Sequence, residues 1–313
     1  MSEKTESRGH VPVLLNEVVE GLNPQPNKNF IDCTLGAGGH SQEILKLTGP
    51  AGKVVGLDMD QETQKQTAKR LQTEFGQRFI PVHGNFRQIA ELVELRPIHG
   101  ILYDLGLSSI QLSGDGGFSF KSDEKLDMRF DKNAELTAYE IINYWSKEKL
   151  EKIIKELGEE RWARKIAENI INQKKVKRIE KASELAELIE KTIPRKLWPP
   201  KIHPATRTFQ AIRMAVNDEL GNLEKSLPEA LKLLEPKGRM AVISFHSLED
   251  RKVKNFFKDQ LRGCICPPEI PKCVCDNQPK IKLINKKIII ASEEEIKNNP
   301  RSRSAKLRVI EKL

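Results

Sequence analysis

Short apolar runs alternate with amphipathic stretches through the first third of the chain. Lys28–Cys33, Lys53–Leu57, Arg78–His83 and Gly100–Tyr103 each read as a strand, and a helix is predicted over about Gln61–Phe75. Strands at this spacing, separated by helices, predict βαβ units in a parallel sheet. After Gln111 the alternation stops. Residues 114–134 are glycine-rich and irregular, and 135–192 repeat apolar positions three and four apart (Leu150, Ile153, Ile154, Leu157; Leu185, Leu188, Ile189), the mark of helices with one buried face. A basic, proline-rich loop runs from Pro194 to Pro204. The α/β pattern then resumes with helices near 208–235, a strand at Arg239–Phe245, and strand-like runs at Lys282–Ala291 and Ala305–Ile310. The expected architecture is a doubly wound α/β domain, residues 1–113 and 213–313, interrupted by a helical insertion over 114–212. No internal repeat is visible.

Composition narrows the class. Of 313 residues, 38% are hydrophobic and 31% charged, which suits a folded globular chain. No apolar run approaches the roughly 18–20 residues that span a bilayer. Met1–Gly9 carries no apolar stretch, so no secretory signal and a cytoplasmic location are expected. The net charge of +9 is uneven: residues 1–116 carry −3, residues 117–215 carry +6 and residues 216–313 carry +6. Basic later segments fit a polyanionic partner such as RNA, and equally a solvated lysine-rich surface.

The chemistry clusters at predicted strand ends. Gly36-x-Gly38-Gly39 lies between a strand and a helix, where glycines let the backbone turn tightly and approach a ligand. The loop misses the dinucleotide pattern, because Ser41 stands where its last glycine would be, and it lacks the ending of a phosphate-binding loop. Asp58 ends the second strand, placed to accept hydrogen bonds from ribose hydroxyls. Asp60 suits the N-cap of the following helix. Asp32 can meet a cationic amino-acid group, Asn85-Phe86 offers a ring to pack on an adenine, and Asp104-Leu105-Gly106 ends the fourth strand. Together these favour S-adenosylmethionine over a nicotinamide dinucleotide.

Longer strings carry a family resemblance. H-V-P-V-L (His10–Leu14), D-x-T-x-G-A-G-G-H-S (Asp32–Ser41), D-L-G-L-S-S (Asp104–Ser109), G-F-S-F (Gly117–Phe120) and L-D-M-R (Leu126–Arg129) resemble the bacterial 16S ribosomal RNA cytosine-N4 methyltransferases. So do H-P-A-T-R-T-F-Q-A-I-R (His203–Arg213), S-F-H-S-L-E-D-R (Ser244–Arg251) and N-P-R-S-R-S-A-K-L-R (Asn299–Arg308). The resemblance runs from about residue 10 to residue 310. It implies a Rossmann-like class I methyltransferase domain with an inserted helical domain, and methylation of N4 of a cytidine in the decoding region of 16S rRNA within the small ribosomal subunit. It also implies cofactor contacts at Gly38, Gly39, His40, Asp58, Phe86, Asp104 and Gln111, beside Gly36, which the glycine loop itself offers. Many amino-methyltransferases carry a D-P-P-Y-like motif after the fourth strand; D-L-G-L-S-S stands there instead, so analogy with them does not assign the acceptor-binding groups.

A cytosine amine is a poor nucleophile because its lone pair is delocalised, so the enzyme must align it and accept hydrogen bonds from its N–H groups. Asp104, Ser244 and His246 are the catalytic candidates, His246 as base contact or proton acceptor, with a structural role as the alternative. His203, Arg207 and Arg213, near the basic run Lys174–Arg178, are candidates for phosphate contact. Asn299–Arg308 is a further basic segment. Cys264-x-Cys266 and Cys273-x-Cys275 are read first as reduced thiols, because C-x-C is tighter than the usual zinc spacing; a zinc site is the alternative. Cys33 reads as a small buried apolar residue. Two rival functions remain at this stage: a methyltransferase acting on another nucleic acid or a protein, and a non-catalytic RNA-binding or ribosome-assembly factor.

Overall fold

The computed structural model describes residues 12–107, 116–120, 123–200, 202–264, 266, 272–275 and 277–313. The chain divides into two compact units, one from Met1–Gly106 with Asn222–Leu313, the other Leu107–Gly221. Among the described residues no helix is long and apolar enough to cross a membrane.

The first unit is built on one sheet. Its strands are β1 (Phe30–Asp32), β2 (Val54–Asp58), β3 (Phe79–His83), β4 (Ile98–Asp104), β5 (Leu234–Ser244), β6 (Ile281–Leu283), β7 (Ile289–Ile290) and β8 (Lys306–Lys312). The order is β3-β2-β1-β4-β5-β8-β6, with β7 also paired to β8. Strands β1 to β5 are parallel, and β8 runs antiparallel to β5, β6 and β7. This is a doubly wound, mostly parallel α/β sheet of Rossmann-like strand order.

Both faces are covered, which is why its strands read as nearly continuous apolar runs. Alternate residues serve opposite faces. Ile101, Tyr103, Met240 and Val242 join one core with Leu223, Leu227, Val253 and Phe257. Leu102, Ala241 and Ile243 join the other with Val18, Ile44, Ala68 and Leu71. The expected strand at Lys282–Ala291 is two short strands instead. The break is at Asn285, whose Oδ1 accepts from the Val309 N–H (2.7 Å) and whose Nδ2 donates to the Lys287 carbonyl (2.6 Å). An amide that satisfies the edge of β8 stands in for continued strand pairing.

The second unit is helical: Ala138–Tyr144, Lys147–Glu156, Ala163–Val176, Ala182–Thr192 and Thr206–Asn217. Thr137 and Glu140 form a capping box at the first of these, and Ser146 caps the second. The periodic residues Leu150, Ile154, Leu185 and Ile189 are buried together with Ile166, Ile170, Phe209 and Ile212.

Candidate cofactor site

β1 and β4 are neighbours, but the chain leaves them in opposite directions across the sheet. Such a switch point opens a crevice at the carboxyl ends of the strands. Asp32, Asp58 and Asp104 are the last residues of β1, β2 and β4. The glycine loop begins beyond Asp32, and Gly36 and Gly38 have φ of 48° and 73°. At Gly38 a Cβ would lie 2.6 Å from the Thr67 methyl, and at Gly39 one would lie 2.3 Å from the Pro12 ring. Side chains are therefore excluded at both positions.

Three polar residues shape this loop from below. Asp32 is only 1% exposed; its oxygens accept from the Thr34 N–H (3.1 Å) and the Ser41 hydroxyl (2.7 Å). Burial still raises its pKa to about 6 against those two hydrogen bonds. Asp32 thus holds the loop and is sealed from the cationic group it was expected to meet. Thr67 donates to the Gly36 carbonyl (2.7 Å), and the Thr34 hydroxyl accepts from the Asp104 N–H (2.6 Å). Thr67 did not stand out in the sequence, because it acts on a backbone carbonyl from outside the glycine motif, whereas Thr34 is the threonine of the D-x-T-x-G string.

Asp58 accepts from the Gly36 N–H (2.8 Å) and the Asp60 N–H (2.9 Å). Burial pushes its carboxyl up to about 6, although both backbone bonds pull the other way. Asp60 caps the helix Gln61–Phe75 through the Glu62 and Thr63 N–H groups, as expected. The Gly84 N–H bonds the Asp58 carbonyl (2.9 Å), bringing the end of β3 beside that of β2. Phe86 follows, half-buried, with its ring edge-on to Tyr103 at 5.6 Å. His40, on the first turn of the helix Gly39–Leu47, is buried, and its Nε2 lies 3.0 Å from the Val13 carbonyl. Gln111 lies outside the described residues.

Asp104 is the electrostatic centre of this group. Burial raises its pKa to about 8, helped by the carboxylates of Asp32 and Glu249. Its Oδ1 is buried and has no hydrogen-bond partner among the described residues. An orphaned carboxylate oxygen is costly to bury, so it is a place for a cation or an N–H donor to bind.

Ser244 and His246, at the end of β5, are more engaged than expected. Ser244 is buried, and its hydroxyl points at the Lys306 carbonyl of β8 (3.4 Å). His246 is the N-cap of the helix Ser247–Gln260. Its Nδ1 accepts from the Glu249 N–H (3.3 Å), while Glu249 accepts from the Phe245 N–H (2.9 Å). Its Nε2 lies 3.1 Å from a Glu249 oxygen, an ion-pair distance without hydrogen-bond alignment. A ring whose Nδ1 accepts a backbone bond carries its neutral proton on Nε2, which makes it a donor there rather than a base. Glu249 was missed; its signal was the acidic residue three positions after a helix start.

The basic candidates of the helical unit separate into engaged and open groups. Arg213, an expected phosphate contact, is clamped by Glu219 in a two-pronged pair (2.7 and 2.9 Å) and is 13% exposed. His203 pairs with Glu190 (2.7 Å) and stacks on Phe120 at 4.2 Å, a packing role. Lys174 donates to the Trp145 carbonyl, Lys177 pairs with Glu184, and Arg178 bonds Tyr139 and Tyr144. Arg207 is half-buried and makes no such bond among the described residues. In the first unit, Arg308 pairs with Asp250 (2.8 Å).

A family model described as "MraW methylase family" matches residues 7–313. The chain is 47% identical to "Ribosomal RNA small subunit methyltransferase H" of Heliobacterium modesticaldum over 309 residues, covering 97% of this chain and 98% of that protein. The protein of the same name from Clostridioides difficile is 47% identical, with 97% and 99% covered. That from Carboxydothermus hydrogenoformans is 49% identical, with 97% and 98% covered.

Proposed function

The chain belongs to the MraW methylase family, and from that premise we propose that it methylates the N4 amine of a cytidine in the decoding region of 16S rRNA, using S-adenosylmethionine. The names of the relatives support a small-subunit rRNA substrate. The single observation that carries the reading is the buried, unpartnered Asp104 Oδ1 at the end of β4, beside the glycine loop.

When bound, the cofactor supplies an electrophilic sulfonium methyl, so no covalent enzyme intermediate is required. Gly36, Gly38 and Gly39 let the backbone approach it, Asp58 accepts from its ribose hydroxyls, and Phe86 packs on its adenine. His40, buried at the start of the helix Gly39–Leu47, belongs to the same set of cofactor contacts. Asp104 takes the cationic amino group or an N–H of the target amine. His246 and Ser244 keep the end of β5 in place on the acceptor side, His246 as a positioning residue. Arg207 of the helical unit contacts RNA phosphate, and that unit binds the substrate. The target base leaves its stack to reach the methyl group.

The test is to incubate the protein with labelled methyl donor and small subunits from a strain lacking the enzyme, then map the modified nucleoside. N4-methylcytidine is expected. Finding 5-methylcytidine overturns the reading, because carbon methylation proceeds through a cysteine adduct and Cys33, which follows Asp32 at the end of β1, is buried. Cofactor binding without methyl transfer to any small-subunit RNA would instead favour an assembly factor.

A further inference from the structure

We propose that Cys264, Cys266, Cys273 and Cys275 form a tetrathiolate zinc site that staples the segment between the helix Ser247–Gln260 and β6. All four Sγ atoms lie within 4.8 Å of one another. Cys273 and Cys275 are 3.6 Å apart, and Cys275 and Cys264 are 3.8 Å apart. A tetrahedral ion with Zn–S bonds of about 2.3 Å needs sulfurs about 3.8 Å from one another. A disulfide needs about 2.05 Å, and all four are free thiols.

The C-x-C spacing, which pointed to plain thiols in the sequence, works here in the metal's favour. Cys264 and Cys266 from one end of the segment and Cys273 and Cys275 from the other bring their sulfurs to one place. The Val274 N–H also points at the Cys266 sulfur (3.4 Å). Backbone N–H groups aimed at ligand atoms are the usual outer support of a metal centre.

Among the described residues of the segment, apolar packing does not account for this convergence. Cys264 and Cys273 are exposed, and Val274 is 72% exposed. The neck of the segment is closed by Asn277 Nδ2 donating to the Arg262 and Gly263 carbonyls (2.9 and 2.6 Å), and by the Lys280 N–H bonding Gln260. Beyond that neck, the thiols are the only side chains gathered together among the described residues. Small segments without a core are commonly held by a metal or a disulfide. Binding exchanges each S–H bond for a Zn–S bond and releases the protons to solvent, with no electron transfer. The four thiolates leave a doubly negative centre, flanked in sequence by Arg262 and Lys272.

The full-length chain, purified under reducing conditions without chelator, is expected to carry one zinc per chain by plasma mass spectrometry. After chelation and refilling with cobalt, it should show the intense visible bands of a tetrahedral tetrathiolate. The double variant Cys264→Ser/Cys273→Ser should lose both signals, and chelation should speed trypsin cleavage within the segment. The wild-type measurement decides the matter even if the variant fails to fold. A reduced wild-type chain that holds no zinc and takes up no cobalt overturns the site, as does iron in place of zinc or an undiminished signal in the variant. None of these readouts involves methyl transfer, so the site and the proposed activity stand or fall separately.

Discussion

Asp104 Oδ2 and His40 Nδ1 face each other 3.7 Å apart at the end of β4 and the start of the helix Gly39–Leu47. The other ring nitrogen of His40 meets the Val13 carbonyl, which can only accept, so Nε2 carries the proton. In the neutral ring Nδ1 is then a lone pair. An acceptor and a carboxylate face each other, a pairing relieved when Asp104 holds a proton or when a cationic donor enters.

That arrangement makes cofactor binding pH-dependent. Asp104 titrates at about 8 without ligand, because burial and then the Asp32 and Glu249 carboxylates disfavour its charge. A cationic ligand prefers the ionised form, so binding at pH 7 should expel a proton. Affinity should rise about tenfold per pH unit at most between about pH 6 and pH 8, then level off. Calorimetry in two buffers of different ionisation enthalpy measures the proton released, and an affinity flat across that range would remove Asp104 from the contact. The ligand-free stability moves the other way. A carboxyl with a raised native pKa binds more protons folded than unfolded between about pH 4 and pH 8, so its contribution falls as pH rises. Asp104→Asn should therefore melt higher than wild type at pH 8 without cofactor, by about 2–4 °C for each kcal/mol recovered.

Asp58 has two functions to lose. Its oxygens hold the Gly36 and Asp60 N–H groups, and in the proposed site it also accepts from the ribose. Asp58→Ala should weaken cofactor binding by about 1.5–3 kcal/mol, and also lower thermal stability. Asp58→Asn keeps one acceptor oxygen and should fall between. Unchanged affinity in folded Asp58→Ala protein would sever Asp58 from the cofactor.

The strand-end carboxylates were legible for a simple reason. Fully buried parallel strands are apolar throughout, so the first acid after each run marks where the sheet meets the crevice, as at Asp32, Asp58 and Asp104. Local hydrogen bonds were legible too: Asp60 caps the helix its position announced. What sequence spacing hides is a pairing made by a change of chain direction. Arg213 reaches Glu219 because Asp218 takes a left-handed conformation, φ 48°, between two helices. His203 reaches Glu190 from the far side of the proline-rich loop, and Lys174 finds a carbonyl 29 residues earlier. A basic string alone therefore says little about which of its charges are free.

His246 offers a test of positioning against proton transfer. Asparagine caps helices well, so His246→Asn should retain the helix Ser247–Gln260, whereas His246→Ala should cost about 0.5–2 kcal/mol of stability. Single-turnover methyl transfer by His246→Asn should stay within several-fold of wild type, and its pH profile should be unchanged. A loss of about 10²-fold or more in a variant of wild-type stability would instead place the imidazole in the chemistry.

Arg207 and Arg213 lie six residues apart in one helix, but of the two only Arg213 is held in a two-pronged ion pair among the described residues. Arg213 is committed to Glu219 in a largely buried, two-pronged pair. Arg213→Ala leaves that carboxylate stranded and should destabilise the protein by about 3 kcal/mol. Restoring neutrality with Arg213→Met/Glu219→Leu should recover much of that loss, because the cost lies in the unpaired charge. Arg207 is half-buried and makes no side-chain bond among the described residues, so Arg207→Ala should leave the melting temperature nearly unchanged. It should weaken rRNA binding and reduce the slope of log affinity against log salt by about one. Filter binding at a series of salt concentrations, alongside thermal melts, separates the two. An Arg207→Ala protein with the wild-type salt slope would mean that this side chain meets no phosphate and that the anchoring charges lie elsewhere in the helical unit.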